Sequence, residues 1–337
     1  MGNILNITNG DCAVEIMQQA GIAGEFLPWR DVLHEGPVPA TQSLQVLSKI
    51  RAGFIAEKGW GELDAVSQSF TERDELLVSH SSYDKVILWF EHDLYDQLQL
   101  LQILDWFQEN KAELVSLSLI CTEQYLGLLT PDEMASLFKY QAPVGHAQLK
   151  LAQQAWAAFR EPTPAKWSAL LNQDTSALPF LEGTIIRMLE EFPSRFNGLS
   201  RTEQQALSII AAGEQRPGKV FTSNQALEDR VFMGDTGLWD ILRLFLTSSP
   251  PLITLPADKQ LTLPSTPDQA LTITPEGKAV LLGKRNWLEI ITPERWIGGV
   301  HLTRDNVWTW DGADGIEHRS PDPGESDKYG EGNKNAE

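Results

Sequence analysis

The sequence of 337 residues has only two cysteines and no long apolar run. Two cysteines cannot make the disulfide framework of a secreted domain, so a reducing, cytoplasmic compartment is the simplest expectation. No stretch approaches the roughly 18 apolar residues that a membrane span needs. The first residues also lack the basic and then apolar pattern of a secretory signal. We therefore expect a soluble, cytoplasmic protein without a membrane partner.

Positive charge is scarce in this chain. Lys and Arg total 27 residues against 46 Asp and Glu, which gives a formal net charge of −19. Such a protein is repelled at long range by the dense negative charge of nucleic acid, so a nucleic-acid partner is not expected. A small nucleotide stays compatible, because backbone amides and one or two cations are enough to hold its phosphates.

Several signatures of chemistry are absent as well. The chain has neither a G-x-G-x-x-G nor a G-x-x-x-x-G-K-[ST] phrase, which argues against a standard dinucleotide fingerprint and a Walker-type phosphate loop. It has no G-x-S-x-G elbow, so a lipase-type serine nucleophile is not expected. No H-x-x-x-H or C-x-x-C spacing supports a metal site by motif alone.

The clearest pattern that is present covers residues 86–107. Residues 86–90 form an apolar run of strand length, and apolar residues return with helical spacing from Leu98 to Phe107. This pattern predicts a short buried strand followed by an amphipathic helix. Polar residues separate the two, at the carboxyl end of the strand. In open α/β sheets, ligands bind at that edge.

Further strands and helices alternate around this pair. Strands are predicted at 4–8, 25–29 and 114–121, and helices at 12–20 and over most of 41–80. Strands that alternate with helices predict βαβ units and a mainly parallel sheet. The predicted fold class of residues 1–128 is therefore α/β, a Rossmann-like three-layer domain with a ligand site at the carboxyl edge of its sheet.

Residues 129–195 have a helical texture. Helices are predicted at 131–138, 146–160, 164–172 and 178–191. Thr130 and Glu133 have the spacing of a capping box at the first of these helices. We expect this helical region to pack on the α/β domain and to end near Pro193.

Residues 196–290 resemble a winged-helix module. A capping box from Ser200 to Glu203 opens a helix at 201–212, and helices at 223–230 and 236–247 follow. A wing with strands at 252–255 and 260–263, and then a strand, turn and helix over 270–281, complete the pattern. Nine basic residues balance nine acidic ones over 201–285, and the third helix is mostly apolar. This charge balance favours docking on a protein over reading a DNA groove.

The last segments are short or polar. A β segment is predicted at 291–310, as a hairpin of 299–302 with 306–310. Residues 311–337 are rich in Gly, Glu, Asp and Pro and have few apolar residues. Such a composition cannot bury a core, so an acidic, disordered tail is expected over 311–337.

Three polar loops carry the candidate site, and the first is Asn9, Gly10 and Asp11. Its functional interpretation is a binding site for a small anion or hydroxyl at the start of a helix, where Gly10 admits close approach. The alternative is that Asp11 is simply the N-cap of that helix.

The second loop holds Trp29, Arg30 and Asp31, followed by His34 and Glu35. The Arg30 guanidinium can clamp a phosphate or a carboxylate in bidentate fashion. His34 or Glu35 can act as a general acid or base. The alternative is a solvated loop whose charges pair with one another.

The third loop is Glu91, His92 and Asp93, and it leads to Asp96 and Gln97. Asp93 is expected to cap the following helix, and Asp96 is favoured in its first turn by the helix dipole. These roles leave Glu91 and His92 unexplained. Gln97 either binds a ligand or faces solvent.

Two kinds of chemistry fit Glu91 and His92. One is a divalent-metal site of carboxylates and imidazoles, completed by Asp31 and His34 from the second loop. The other is a charged pair positioned for proton transfer. Both require the loops to converge at one edge of the sheet, which right-handed crossovers between parallel strands predict.

The three loops also carry a family resemblance. The phrases ITNGD at 7–11, LPWRDVLHEGP at 27–37 and WFEHDLYDQL at 89–98 resemble a bacterial family known as a domain of unknown function, over roughly residues 3–125. The resemblance implies that the three loops belong to one site, and it supplies no reaction.

Two functional hypotheses follow. The first is an enzyme that acts on a small phosphorylated or nucleotide-like molecule by acid–base or metal-assisted chemistry. Its catalytic candidates are His34, Glu35, Glu91, His92 and Asp93, and its ligand-binding candidates are Asn9, Gly10, Asp11, Trp29, Arg30, Asp31, Asp96 and Gln97. The second hypothesis is a non-catalytic, ligand-sensing regulator or adaptor, whose winged-helix-like module docks a protein or DNA.

Overall fold

A computed structural model describes residues 2–40, 43–110, 116–312 and 314–319. Its first part alternates strands with helices along the chain. The elements in order are β1 (Ile4–Thr8), α1 (Asp11–Gln19), β2 (Glu25–Pro28), β3 (Gly36–Pro37), α2 (Leu44–Glu57), α3 (Leu63–Val78), β4 (Lys85–Phe90), α4 (Leu94–Glu109) and β5 (Ser116–Cys121). These bounds confirm the predicted strands at 4–8 and 86–90. The predicted start of β5, residues 114–115, lies outside the described residues.

The second part is mainly helical and ends in short strands. Its elements are α5 (Pro131–Ser136), β6 (Ala142–Pro143), α6 (His146–Phe159), α7 (Ala165–Ala169), α8 (Leu181–Leu189), α9 (Arg201–Ala211), α10 (Pro217–Gln225), α11 (Asp235–Thr247), β7 (Ile253–Thr254), β8 (Thr272–Ile273), α12 (Pro275–Leu281), β9 (Arg295–Gly298), β10 (Val300–Leu302), β11 (Val307–Asp311) and β12 (Gly315–Arg319). Both predicted capping boxes are present, at Thr130 and at Ser200. None of the described helices is long and apolar enough to cross a membrane.

The main sheet has the strand order β2-β1-β4-β5-β6. The first four strands run parallel, and only β6 is antiparallel, which confirms the predicted mostly parallel α/β sheet. The chain places β2 on one side of β1 and then continues with β4 on the other side. The strand order therefore reverses between β1 and β4, and the carboxyl ends of these two strands are neighbours.

Helices cover both faces of this sheet. Because side chains alternate along a strand, Leu88 packs with Leu98 of α4 on one face, whereas Trp89 packs with Met17 of α1 on the other. Helix α4 was predicted to be amphipathic, but eleven of its sixteen residues are buried. The reason is that α6 and α8 pack on the side of α4 that faces away from the sheet.

The predicted wing is wrong in its pairing. Strand β7 pairs with β8, whereas residues 260–263 form no strand. Side chains satisfy this segment instead, since Trp239 Nε1 donates to the carbonyl oxygen of Thr262 at 2.7 Å. The second helix of the module also lies earlier than predicted, at Pro217–Gln225, because Pro217 begins it at the position where proline is favoured.

The carboxyl-terminal strands differ from the predictions as well. Residues 299–302 and 306–310 do not pair as a hairpin: β10 pairs with β9, and β11 pairs with β12. Strand β9 also pairs in parallel with β3, with Ile297 opposite Gly36. Residues 315–319, which were predicted to be disordered, form strand β12 because they find a partner in β11. The rest of the predicted tail, residues 320–337, lies outside the described residues.

Candidate functional site

All three predicted loops begin at the carboxyl edge of the sheet, and the first and third share one cluster of side chains there. Strands β1 and β4 pair with Thr8 opposite Trp89, so Asn9 and Glu91 follow them side by side. The side-chain amide nitrogen of Asn9 donates to Glu91 Oε1 and to Asp96 Oδ1, both at 2.9 Å. The first and third loops are thus joined where the strand order reverses.

Glu91, Asp93 and Asp96 form a carboxyl cluster at this edge. All three are buried, and one oxygen of each lies within 4.8 Å of the others. Main-chain groups point into the cluster: the Glu91 amide donates to Asp96 Oδ2 at 2.6 Å, and the Leu126 amide donates to Glu91 Oε1 at 2.7 Å. Asp93 caps α4, as predicted, through a hydrogen bond of 3.2 Å from the Asp96 amide.

The carboxyl cluster retains protons near neutral pH. Burial, and then the negative charge of Asp93, raises the pKa of Glu91 to about 7. Burial also raises the pKa of Asp93 to about 6, and it raises the pKa of Asp96 well above its ordinary value. One oxygen of Glu91 lies within 4.8 Å of one oxygen of Asp93, so the two carboxyl groups titrate together. A carboxyl group with a pKa of about 7, such as that of Glu91, can give up a proton or take it back near neutral pH.

The same three carboxyl groups are close enough to hold a metal ion. The ligand set differs from the predicted one, because Asp31 and His34 of the second loop lie elsewhere. The Glu91 oxygen that accepts from Asn9 also accepts from the Leu126 amide, and both Asp96 oxygens accept hydrogen bonds. These donors already compensate the buried negative charge, which favours a shared proton over a divalent cation.

His92 turns away from the carboxyl cluster. Its ring lies between the rings of Tyr125 and Phe180, with centroid distances of 5.3 and 5.9 Å. Burial, and then the positive charge of Arg230, lowers the pKa of His92, so its imidazole is neutral at pH 7. Its Nδ1 atom is buried and makes no hydrogen bond within the described part of the chain.

A cavity of about 410 Å³ opens beside this histidine. Its wall includes His92 and Leu94, which flank Asp93 in the chain, together with residues of α8 and of 228–230. Arg230 Nη1 donates to the main-chain oxygen of His92 at 3.2 Å, and its guanidinium lies 5.1 Å from the centre of the Phe180 ring. Arg230 is therefore held against the candidate site by the second part of the chain.

Arg230 differs from the two other arginines of this cavity. Arg187 and Arg201 each form an ion pair with a glutamate. Arg230 has no carboxylate within 4.0 Å among the residues that the structure describes. Gly183 makes room for it, because a Cβ at that position would lie 2.9 Å from Arg230 Nη1. Sequence reasoning missed Arg230, since nothing in residues 227–231 indicates that they meet a loop about 138 residues earlier.

Arg30 and Asp11 form an ion pair at the surface. Arg30 Nε and Nη2 donate to the two oxygens of Asp11 at 2.8 and 2.5 Å, and both side chains are well exposed. The predicted anion clamp therefore already holds a carboxylate of its own chain. Asp11 is not the N-cap of α1: Gly10 is, with an extended backbone and open space where a Cβ would stand.

Trp29 and Asp31 belong to the core. The Trp29 indole is fully buried and donates to Gln102 Oε1 at 2.9 Å. Asp31 is also fully buried and accepts from Arg51 Nε at 2.9 Å. Arg51 further donates to the carbonyl oxygens of Val32 and Glu35, at 2.7 and 2.6 Å. Neither interpretation describes these two residues: they are buried, not solvated, and Asp31 pairs with Arg51 of α2, not with a charge of its own loop.

His34 and Glu35 face the second part of the chain. His34 lies with its ring edge-on to Phe232 at 5.1 Å, and burial lowers its pKa to about 3. Its two ring nitrogens are buried and make no hydrogen bond with any described residue. Glu35 lies 4.0 Å from His34 and approaches Gly237 of α11. The structure does not bring this pair into the carboxyl cluster.

Gln97 has a structural task at the site. Its side-chain nitrogen donates to the main-chain oxygen of Glu91 at 2.5 Å and contacts the Cys121 sulfur at 3.4 Å. It is buried, so neither predicted alternative describes it. Gln97 fixes the turn that follows β4 and thereby positions the carboxyl cluster.

Comparison with known proteins does not assign this chain to a family. No protein-family model matches the sequence, and no curated protein matches it. The resemblance of the three phrases to a domain of unknown function therefore stays a prediction. The function has to be argued from the site itself.

Proposed function

We propose that this protein is a cytoplasmic enzyme that transfers protons on a small phosphorylated or nucleotide-like molecule. The observation that supports it best is the close pair of buried carboxyl groups of Glu91 and Asp93, at the point where the strand order reverses. Burial raises their pKa values to about 7 and about 6. Groups with strongly perturbed pKa values are candidates for a catalytic site, and the chain neighbours of Asp93, His92 and Leu94, line a cavity.

Each residue has a distinct role in this proposal. Glu91 and Asp93 share one proton, so one of them serves as general acid and the other as general base. Asn9 and Asp96 hold Glu91 in position through the hydrogen bonds given above. Arg230 takes the place that the sequence assigned to Arg30 and binds the anionic group of the substrate. A neutral His92 offers the substrate one further hydrogen bond from the cavity wall.

The Rossmann-like and winged-helix-like assignments are part of the same proposal. The order β2-β1-β4-β5, with a reversal beside β1, supports the first. Helices α9, α10 and α11, the β7–β8 pair and α12 support the second. In the winged-helix-like part, α11 faces α2, and its Asp240 pairs with Lys58 at 2.9 Å. This ion pair supports docking of the module on its own α/β part in preference to a DNA groove.

The experiment is a thermal-shift and calorimetric comparison of four proteins. Wild type, Arg230→Ala, Gly183→Ala and Arg30→Ala are each titrated with inorganic phosphate, ribose 5-phosphate and ADP. A ligand at a hundred times its Kd adds about 2.7 kcal/mol to the stability. We expect at least one of these probes to stabilise wild type and Arg30→Ala. We expect the stabilisation to be lost in Arg230→Ala and weakened in Gly183→Ala, where a Cβ displaces Arg230.

Two results would contradict the proposal. If all three probes bind Arg230→Ala as tightly as wild type, Arg230 does not bind the anionic group of the substrate. If no phosphate-bearing probe stabilises wild type, the substrate class is wrong. Arg30→Ala is the matched control, because it removes an exposed arginine that is already paired with Asp11.

A further inference from the structure

A second and larger cavity lies on another side of the molecule. Helices α2 and α11 face each other across a cleft of about 940 Å³, and the loop before β3, together with β9, closes its floor. We call it the α2–α11 cleft. Its size falls in the range of small-molecule sites. It shares no lining residue with the cavity beside His92.

The charges of the α2–α11 cleft are mostly acidic. Five acidic residues and three basic residues line it. Two of the basic residues already form ion pairs: Lys58 with Asp240 at 2.9 Å, and Arg295 with Glu191 at 2.8 Å. Acidic groups therefore outnumber basic groups along the lining as a whole, and this excess attracts cations.

Glu35 is the acidic group without a donor. Its side chain is only 15% exposed, and it accepts no hydrogen bond from any residue that the structure describes. Among the described residues, His34 is the basic group within 4.0 Å of it, and that ring is neutral because burial lowers the pKa of His34 to about 3. Arg295 and Lys58 lie farther away and act on Glu35 only through their charge. Burial likewise raises the pKa of Glu35. A buried carboxyl group without a partner is costly unless a ligand supplies the missing donors.

The walls of the cleft are apolar above this carboxyl group. Phe54 of α2 lies on one side, and Ile241 and Leu244 of α11 lie on the other. Trp296 of β9 stacks on His301 with a centroid distance of 4.3 Å, which holds the indole in place. A ligand that fits these walls carries a cationic end and an apolar or planar body.

We propose that the α2–α11 cleft binds a small organic cation, whose ammonium or guanidinium group donates hydrogen bonds to Glu35 while its apolar part lies against Phe54. Charge-assisted hydrogen bonds to a carboxylate are stronger than neutral ones, so Glu35 selects the cationic end. The site is separate from the proposed catalytic site and stands or falls independently of it.

The test compares a charged and a neutral probe of the same shape. Phenethylamine, 2-phenylethanol and agmatine are titrated into the whole protein by calorimetry at pH 7.5 in 150 mM NaCl. We expect phenethylamine or agmatine to bind at least tenfold more tightly than 2-phenylethanol. We expect Glu35→Gln to abolish this preference. Glu57→Gln, the matched loss of an acidic group lining the same cleft, should preserve it.

Other outcomes would overturn the proposal. Equal binding of phenethylamine and 2-phenylethanol would mean that the cleft recognises only apolar groups. Equal amine binding to wild type and Glu35→Gln would mean a general attraction to a chain of net charge −19. Binding of a lysine-rich peptide, but of neither small cation, would mean a protein partner. If circular dichroism shows that Glu35→Gln is unfolded, Leu244→Trp, which narrows the cleft, carries the test and must weaken amine binding.

Discussion

Replacing Glu91 by Gln should make the protein more stable at pH 8 and leave it nearly unchanged at pH 5. In the folded state the pKa of Glu91 is raised from its ordinary 4.5 to about 7, mainly by burial. At about 1.4 kcal/mol per pKa unit, this rise corresponds to roughly 3 kcal/mol. The folded state holds a proton that the unfolded chain releases, so stability falls as pH rises from 4.5 through 7. Gln resembles the protonated acid at every pH, and this loss disappears.

The geometry of the site supports an amide at this position. Glu91 Oε1 accepts from Asn9 and from the Leu126 amide, which the Gln oxygen can do equally. The Gln nitrogen can then donate to Asp93 in place of the shared proton. The raised pKa values of Glu91 and Asp93 do not contribute separately to the stability change of about 3 kcal/mol, because the two groups titrate as a pair.

Urea unfolding at pH 5 and pH 8, followed by circular dichroism and by fluorescence, measures the effect. The stability of Glu91→Gln minus that of wild type should rise by about 2.5 kcal/mol between the two pH values. Glu15→Gln makes the same chemical change at an exposed position of α1, and it should show no such rise. A Glu91→Gln difference that is the same at both pH values would refute the raised pKa of Glu91.

Two further predictions concern the buried groups. Arg51→Ala leaves Asp31 buried without its main partner, so urea unfolding should show that the protein loses about 3–5 kcal/mol of stability. The exposed Arg30→Ala control should lose at most about 1 kcal/mol. Equal losses of stability in the two variants would contradict this prediction. Cys12 is exposed, whereas burial raises the pKa of Cys121 to about 12. A disulfide reagent at pH 8 should therefore modify Cys12 within minutes and Cys121 only after denaturation. Rapid modification of both thiols in the native protein would disprove this prediction.

Much of the fold follows from local patterns in the sequence. An apolar run of strand length before a helix-periodic segment was enough to place β4 and α4. The capping boxes at Thr130 and Ser200 marked two helix starts. In such a box, the hydroxyl and the carboxyl group three residues apart each accept a hydrogen bond from a main-chain amide that has no partner within the helix. The parallel sheet then brought Asn9 and Glu91 together, since residues that follow paired parallel strands are neighbours.

The remaining features depend on contacts that no local pattern records. A sequence cannot tell whether Arg30 is free for a ligand or bound to Asp11, because both states suit an exposed arginine. Arg230 reaches the site from the second part of the chain, and its position depends on how that part packs. The partner of β7 was misjudged for the same reason: two strands of two residues carry little periodicity, and packing decides their pairing.

The pairing of β3 with β9 has a consequence for synthesis of the chain. Gly36 pairs with Ile297, which lies 261 residues later in the chain. At about 5–20 residues per second, the ribosome adds these residues in roughly 13–50 s. During that time the edge of the loop at Gly36 has no strand beside it. Newly made protein thus passes through a stage with an unpaired edge, and any truncation before residue 295 would make that stage permanent.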